Sequence, residues 1–295
     1  MDEVMEIQSD LFKTIDDCAP LHLFRYRGSE TKHIESFERD EVYLSCPENF
    51  NDPTDCMAYV DPVRIIEGSG GLEFDNPVEI KDDKLYDEDE ILLEYLSIAN
   101  NALDTITQVR SRIKVACFCD NIQSPLMWSH YAENHKGFAL RYKVDEISLN
   151  ECIDCEKNCF CHRPGHPLYP VLYNKKRSDV SHYAMARAFA VNNGMTEDNI
   201  PVPLIPLIQK SVDWEYEKEW RLICHDLDRK YISIKPDALY LGNKIEYKVA
   251  EKLWEIAQDK KIDVNIMMID YLEPQFKMKV ESVEHFEVLK NYLSR

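Results

Sequence analysis

Hydrophobic and polar positions change period several times along the chain, and those changes lay out its elements. Residues 21–26 (LHLFRY) and 41–45 (EVYLS) are short runs rich in aromatic and β-branched side chains and predict two early strands. The polar stretch between them has room for one or two helical turns. Residues 49–55 (NFNDPTD) collect Asn, Asp and Pro, which bond nearby amides or fix φ, and predict a loop. Within 90–112, Ile91, Leu92, Tyr95, Leu96, Ile98 and Leu103 recur at helical spacing, so an amphipathic helix is expected. Residues 113–119 (IKVACFC) read as a strand. Ser124-Pro125 then offers an N-cap and a preset first helical residue for a short helix through MWSHYAE.

Strand character returns at 137–142 (GFALRY) and 168–173 (LYPVLY), and 180–191 is helical. Residues 214–224 (WEYEKEWRLIC) read as a strand, followed by short strands at 231–234 and 238–241. The helix at 246–260 puts Val249, Leu253, Trp254 and Ile256 on its apolar side, and 264–269 and 276–280 are closing strands. Strands and helices alternate irregularly, which favours an α+β fold over a doubly wound sheet. The expected core is a single mixed or antiparallel sheet flanked by helices. A chain of 295 residues lies near the upper limit of one core, so a single domain over 1–295 is expected. It carries an acidic surface insertion at 61–90 and a cysteine-rich, zinc-stapled insertion at 150–167.

Charge narrows the partners. Against 54 acidic residues stand 35 basic ones, a net charge of −19, and such a field repels phosphate backbones and anionic membranes. General duplex binding is disfavoured, while a local basic pocket for a small anionic nucleotide stays open. The start, MDEVMEIQSD, lacks the cationic and apolar regions of a secretory signal, and no apolar run reaches the roughly 18 residues of a spanning helix. A cytoplasmic protein without a membrane partner is expected. Eight glycines form neither a P-loop nor a dinucleotide fingerprint. Of ten cysteines, Cys117, Cys119 and Cys224 lie in apolar runs and read as small buried hydrophobes.

Four others cluster. Cys152, Cys155, Cys159 and Cys161 form C-x2-C-x3-C-x-C, with His162 and His166 close behind. Thiolate and imidazole are the preferred zinc ligands, and four sulfurs close a structural tetrahedron with no position open for catalysis. Structural zinc is the expected cofactor, with His162 or His166 able to replace Cys159 or Cys161. Free or disulfide-paired thiols are the alternative.

The acidic run before Arg221 is the second concentration of chemistry. Strand alternation would put Glu215, Glu217, Glu219 and Arg221 on one side, with successive carboxylates about 7 Å apart. Such a row is either a functional site or a solvated edge neutralised by Arg221. His130 and Tyr131, in MWSHYAENHKGF, either line the same site or belong to the core with Met127 and Trp128. Asn51, Asp52 and Asp55 either shape a pocket or cap turns.

The set LFRYR, YLSCPENFNDPTD, CFCD with PLMWSHYAENHKGFALRY, VLY and WEYEKEWRLI resembles the bacterial family called domain of unknown function 2971. The acidic segment and the cysteine cluster depart from that family's pattern and look like additions. A more distant likeness is to ADP-ribosyltransferases, which carry an Arg or His on a first strand, a Ser motif on a second and a Glu-x-Glu on a later one. That likeness implies NAD as a substrate. Arg25 or Tyr26 would hold it together with Ser45, Glu219 would stabilise the transition state, and Glu217 would orient the acceptor. Ser45 is followed by Cys46 and Pro47, so the second motif is incomplete.

Three function classes follow. The first is an NAD-consuming, ADP-ribosyltransferase-like enzyme, with bacterial defence as one setting and a macromolecular acceptor unspecified. The second is a non-enzymatic binding module with a structural zinc. The third is a metal-dependent phosphoester hydrolase built on Glu215, Glu217, Glu219 and Asp52.

Overall fold

The computed structural model describes residues 19–61, 64–65, 97–98, 100–101, 103–104, 110–111, 113–148, 168–196, 204–224 and 228–293. The chain gathers into two compact units, one of residues 1–45, 113–171 and 213–295, the other of 46–112 and 172–212.

Among the described residues the first unit is built on an eight-stranded sheet. Its strands are β1 (His22–Arg27), β3 (Lys114–Cys119), β4 (Phe138–Lys143), β5 (Leu168–Pro170), β8 (Glu219–Cys224), β10 (Ala238–Leu241), β11 (Asp263–Ile269) and β12 (Met278–Ser282), in the order β12-β11-β10-β4-β1-β3-β8-β5. A separate two-stranded ribbon pairs β2 (Glu41–Tyr43) with β9 (Tyr231–Ser233). In the large sheet only β10 and β11 pair in parallel, and the 14-residue helix α5 (Tyr247–Lys260) connects them. Every other pair in the large sheet is antiparallel, so the sheet is mixed and the fold is α+β.

Register divides the side chains between two faces. Phe24 stands opposite Cys119 and Arg141, and Cys119 opposite Glu219, so these four share one face. That face is covered by α2 (Pro125–Tyr131): Tyr26 meets Trp128 edge-on at 5.1 Å, and Met127, Ala132, Ala139, Tyr240 and Met267 complete the cluster. As its sequence implies, α2 starts at the Ser124 hydroxyl, which accepts the Met127 amide, with Pro125 next. The other face carries Leu23, Arg25, Phe118, Leu140, Tyr142 and Leu239. There Phe37 of α1 (Thr31–Glu38) approaches Phe138 to 6.2 Å, and Lys260 of α5 reaches over the Phe37 ring. Buried Leu253 and Ile256 give α5 its apolar stripe. A short helix, α3 (Val144–Ser148), follows β4, and α6 (Phe286–Leu293) sets Phe286 5.7 Å from Trp254.

The turn from α2 into β4 is unusual. Glu133, Asn134 and His135 all adopt positive φ (50°, 53° and 71°), a conformation that costs a non-glycine residue roughly 1–2 kcal/mol. Dense bonding offsets this. The Glu133 carboxylate accepts from the Ser29 amide and hydroxyl at 2.9 and 2.6 Å, the His135 amide donates to Trp128 O, and Lys244 N donates to His135 O. Two glycines make the crowding possible: a Cβ on Gly137 would lie 2.0 Å from Arg27 O, and one on Gly242 2.1 Å from His135 O.

The second unit pairs β6 (Leu172–Asn174) in parallel with β7 (Gln209–Ser211) and adds α4 (Ser181–Asn192). Its core holds Ala58, Val60, Ile65, Val180 and Ala184, with Ile98 and Leu103 packed against it. Asp52 accepts from the Thr54 amide and hydroxyl, the turn role open to it from sequence, and Asp55 forms a buried ion pair with Lys210 at 3.6 Å.

Several boundaries differ from the sequence reading. The single strand expected at 168–173 is two strands split at Val171, with β5 on the large sheet and β6 in the second unit. Proline at 170 ends the first because it offers no amide to a ladder. The last strand begins at Met278, not 276. Of the acidic insertion, 62–63 and 66–90 lie outside the described residues, as do 150–167 with all four clustered cysteines and both following histidines. Among the described residues no helix is long and apolar enough to cross a membrane.

Candidate functional site

The acidic run does not continue as one strand. Residues Val212–Glu217 form a 3-10 helix, Lys218 turns through positive φ (44°), and only Glu219 onward is β8. The Lys218 amide closes the helical turn on Glu215 O, and the Lys218 carbonyl accepts from Asp120 N, fixing the reversal. Three residues per turn replace the two-residue period, so Glu215 points to solvent while Glu217 and Glu219 are buried. The expected row of Glu215, Glu217, Glu219 and Arg221 on one side is therefore corrected to Glu219 and Arg221 on the strand, with Glu217 presented from the turn before it.

Arg221, fully buried, grips Glu219 two residues away on the same face: Nε donates to Oε1 at 2.9 Å and Nη2 to Oε2 at 3.1 Å. This side-on pairing suits a guanidinium and a carboxylate. Cys117 and Cys119 lie opposite Arg221 and Glu219 on β3. Burial, with the neighbouring Glu219 charge second, pushes the Cys117 thiol well above its usual range, and burial pushes Cys119 up to about 12. Raised in this way, both thiols stay protonated at neutral pH.

Glu217 faces a different partner. The Tyr131 hydroxyl, at the end of α2, donates to Glu217 Oε1 at 2.5 Å. A wall of aromatic rings continues outward: Tyr131 to His130 at 6.3 Å, His130 to Tyr216 at 6.0 Å, and Tyr216 to Trp214 at 6.0 Å. His130 is exposed and the three others are partly so. Two carboxylates thus lie buried beside a half-exposed aromatic wall. Glu219 is gripped by a guanidinium, and Glu217 takes a bond from a phenol.

The structure brings Glu217, Glu219, Tyr131 and His130 together and leaves three other sequence candidates elsewhere. Arg25 is on the opposite face: it alternates with Phe24, stands opposite Leu140, and its guanidinium lies 5.6 Å from the Phe118 ring. Arg25 and Glu219 therefore do not converge. Tyr26 packs in the core with Trp128 and donates to Asn121 O at 2.6 Å. Ser45 bridges Val115, four residues along β3 from Cys119, which puts it about 13 Å from the Glu219 end. From the sequence, strand alternation sets Trp214 and Tyr216 opposite the glutamates and says no more of them. No local spacing announces the bond between Tyr131 and Glu217, 86 positions apart.

Among the described residues no group of three or more His, Cys, Asp or Glu stands together as a metal site. Neither the curated proteins nor the solved structures contain a match to this chain. One protein family does match, over residues 127–222, a stretch that opens in α2 and ends in β8. It contains both Tyr131 and the Glu217–Glu219 turn. Over that third of its length the chain is a match to the family described as a protein of unknown function (DUF2971), the relationship its motifs suggested.

Proposed function

We propose that the first unit is an NAD-consuming enzyme that transfers or hydrolyses ADP-ribose, with Glu217 as its reacting carboxylate. The observation that carries this reading is a pair of buried carboxylates in different settings, Glu219 on the strand and gripped through both oxygens by Arg221, Glu217 in the turn before it and taking a short bond from the Tyr131 hydroxyl beside the aromatic wall. A site that needs one fixed and one reactive carboxylate gives them different surroundings. The roles drawn from the ADP-ribosyltransferase likeness are exchanged: Glu219 with Arg221 is the frame, and Glu217 does the chemistry.

Nicotinamide in NAD is a flat cation, and the row His130, Tyr216 and Trp214 offers ring faces to it. As the bond from ribose C1′ to the nicotinamide nitrogen breaks, its electron pair neutralises the pyridinium and leaves oxocarbenium character on the ribose. Glu217 stabilises that charge more in the transition state than in the substrate, and water or an acceptor nucleophile then forms the new bond to C1′. Tyr131 fixes the carboxylate's rotamer. Arg25 has no part in this step.

The test is nicotinamide release from NAD by the full chain, followed chromatographically with and without protein and nucleic-acid acceptors. Turnover that falls at least a hundredfold in Glu217→Gln supports the reading. Absence of turnover together with absence of any NAD-dependent rise in melting temperature refutes it.

A binding-module reading has one observation in its favour. The connection from β11 to β12 exposes Tyr271, Leu272 and Phe276 at 88, 95 and 98%. For either reading we propose that Cys152, Cys155, Cys159 and Cys161 hold a structural zinc, on the chemistry of that donor set. About one equivalent of zinc in the purified protein is expected, and four freely alkylated thiols would remove the idea. The phosphoester hydrolase is not favoured, since Glu215, one of its carboxylates, points to solvent.

A further inference from the structure

Three arginines of the first unit differ in how their charge is met. Arg221 has Glu219, and Arg141 has Asp237, with Nε to Oδ1 at 2.7 Å. Arg25, 7% exposed, has only the Tyr43 carbonyl, bonded through Nη2 at 2.5 Å. Its Nε and Nη1 are buried and have no hydrogen-bond partner among the described residues, so at least three of the five N–H bonds of the guanidinium are unused. The ionisable groups acting on it are Tyr142 and Cys117, both kept neutral because burial drives their proton affinities up, and His33, whose proton affinity burial lowers. The Phe118 ring at 5.6 Å offers a π face but no acceptor.

A guanidinium stays charged at physiological pH, and buried charges in proteins are paired. We propose that Arg25 is the receptor for a small oxyanion, a phosphate or a carboxylate, bound on the face of the sheet opposite Glu219. The anion accepts from Nε and Nη1 in charge-assisted bonds. The β2–β9 ribbon is the way in, since its Tyr43 carbonyl is the one partner of Arg25 and its Tyr43 and Tyr231 rings, 5.5 Å apart, are exposed. This site is separate from Glu217 and does not rest on the NAD reading.

Thermal unfolding of the full chain tests it. Sodium phosphate and sodium acetate, the two sources of oxyanion chemistry, are each compared with chloride at equal ionic strength. At least one raises the wild-type melting temperature saturably by about 2 °C or more. Arg25→Met loses that rise, Glu217→Gln keeps it, and in chloride alone Arg25→Met melts at or above the wild type, because an uncompensated charge is gone. A wild type indifferent to both anions, an equal rise in Arg25→Met, or an Arg25→Met that melts well below the wild type or fails to fold each overturns the proposal. On the wild type alone, saturable broadening of the 31P resonance of inorganic phosphate provides a reading free of any variant.

Discussion

Arg221 binds both carboxylate oxygens of Glu219 from two positions along the same strand, with neither side chain open to solvent. Such a pair balances a large desolvation penalty against a strong attraction, so the pair as a whole contributes little net stability while the loss of one member alone is costly. Arg221→Met leaves a buried carboxylate uncompensated and lowers stability by about 3–5 kcal/mol. Adding Glu219→Gln to that variant recovers much of the loss. Denaturant unfolding of the two single variants and the double variant checks this, and losses that simply add would mean that the residues do not act as a unit.

Tyr131→Phe removes the hydroxyl from Glu217 while keeping the ring beside the α2 core cluster. A buried acceptor stripped of its donor costs about 1–3 kcal/mol. Any NAD turnover falls in parallel with Glu217→Gln, and circular dichroism stays native. A Tyr131→Phe variant with unchanged stability and turnover would show that the short contact is incidental.

Gly137 and Gly242 meet backbone, not flexible side chains, at the positions a Cβ would take. Either substitution by alanine displaces the Glu133–His135 turn and lowers the melting temperature, with a cost of about 1–3 kcal/mol or more. Gly194, whose Cβ would meet open space at φ +83°, carries only the conformational cost of about 1 kcal/mol. Calorimetry should therefore rank the Gly194→Ala variant as the mildest of the three.

Buried thiols and phenols predict weakness in alkali. Burial raises the Cys119 thiol to about 12 in the folded chain from near 9, and raises Tyr26 well above its ordinary value. The folded state thus holds protons that the unfolded state releases. This contribution is intact below about pH 9 and is lost as pH climbs toward 12. Unfolding midpoints measured from pH 7 to 11 should fall over the upper half of that range, and more gently in Cys119→Ala. An equal slope in that variant would exonerate the thiol.

Local chemistry was readable where one short stretch decides the outcome. The Ser124-Pro125 start of α2 and the apolar stripe of α5 are there as the residues imply, because capping and helical periodicity act within a turn or two. Alternation also put Arg25 and Phe24 on opposite faces of β1. Which of them shares a face with Glu219 depends on how β1, β3 and β8 align, and one chain's periodicity carries no register between distant strands. Glu217 escaped for a different reason. WEYEKEW has the composition of a strand, yet the Lys218 reversal and its bonds to Glu215 and Asp120 impose a helical turn, and long-range partners override propensity there.

The strand order also bears on how the polypeptide is made. Among the described strands the earliest in the chain, β1, lies in the middle of the large sheet, and its neighbours β3 and β4 are completed only at residues 119 and 143. At ordinary elongation rates β1 waits roughly 5–25 s before both flanks exist. During that interval HLFRYR presents two open edges to solvent. The nascent chain should thus be a strong client for ribosome-associated chaperones, and its yield should respond more to translation speed between residues 27 and 143 than to any later stretch.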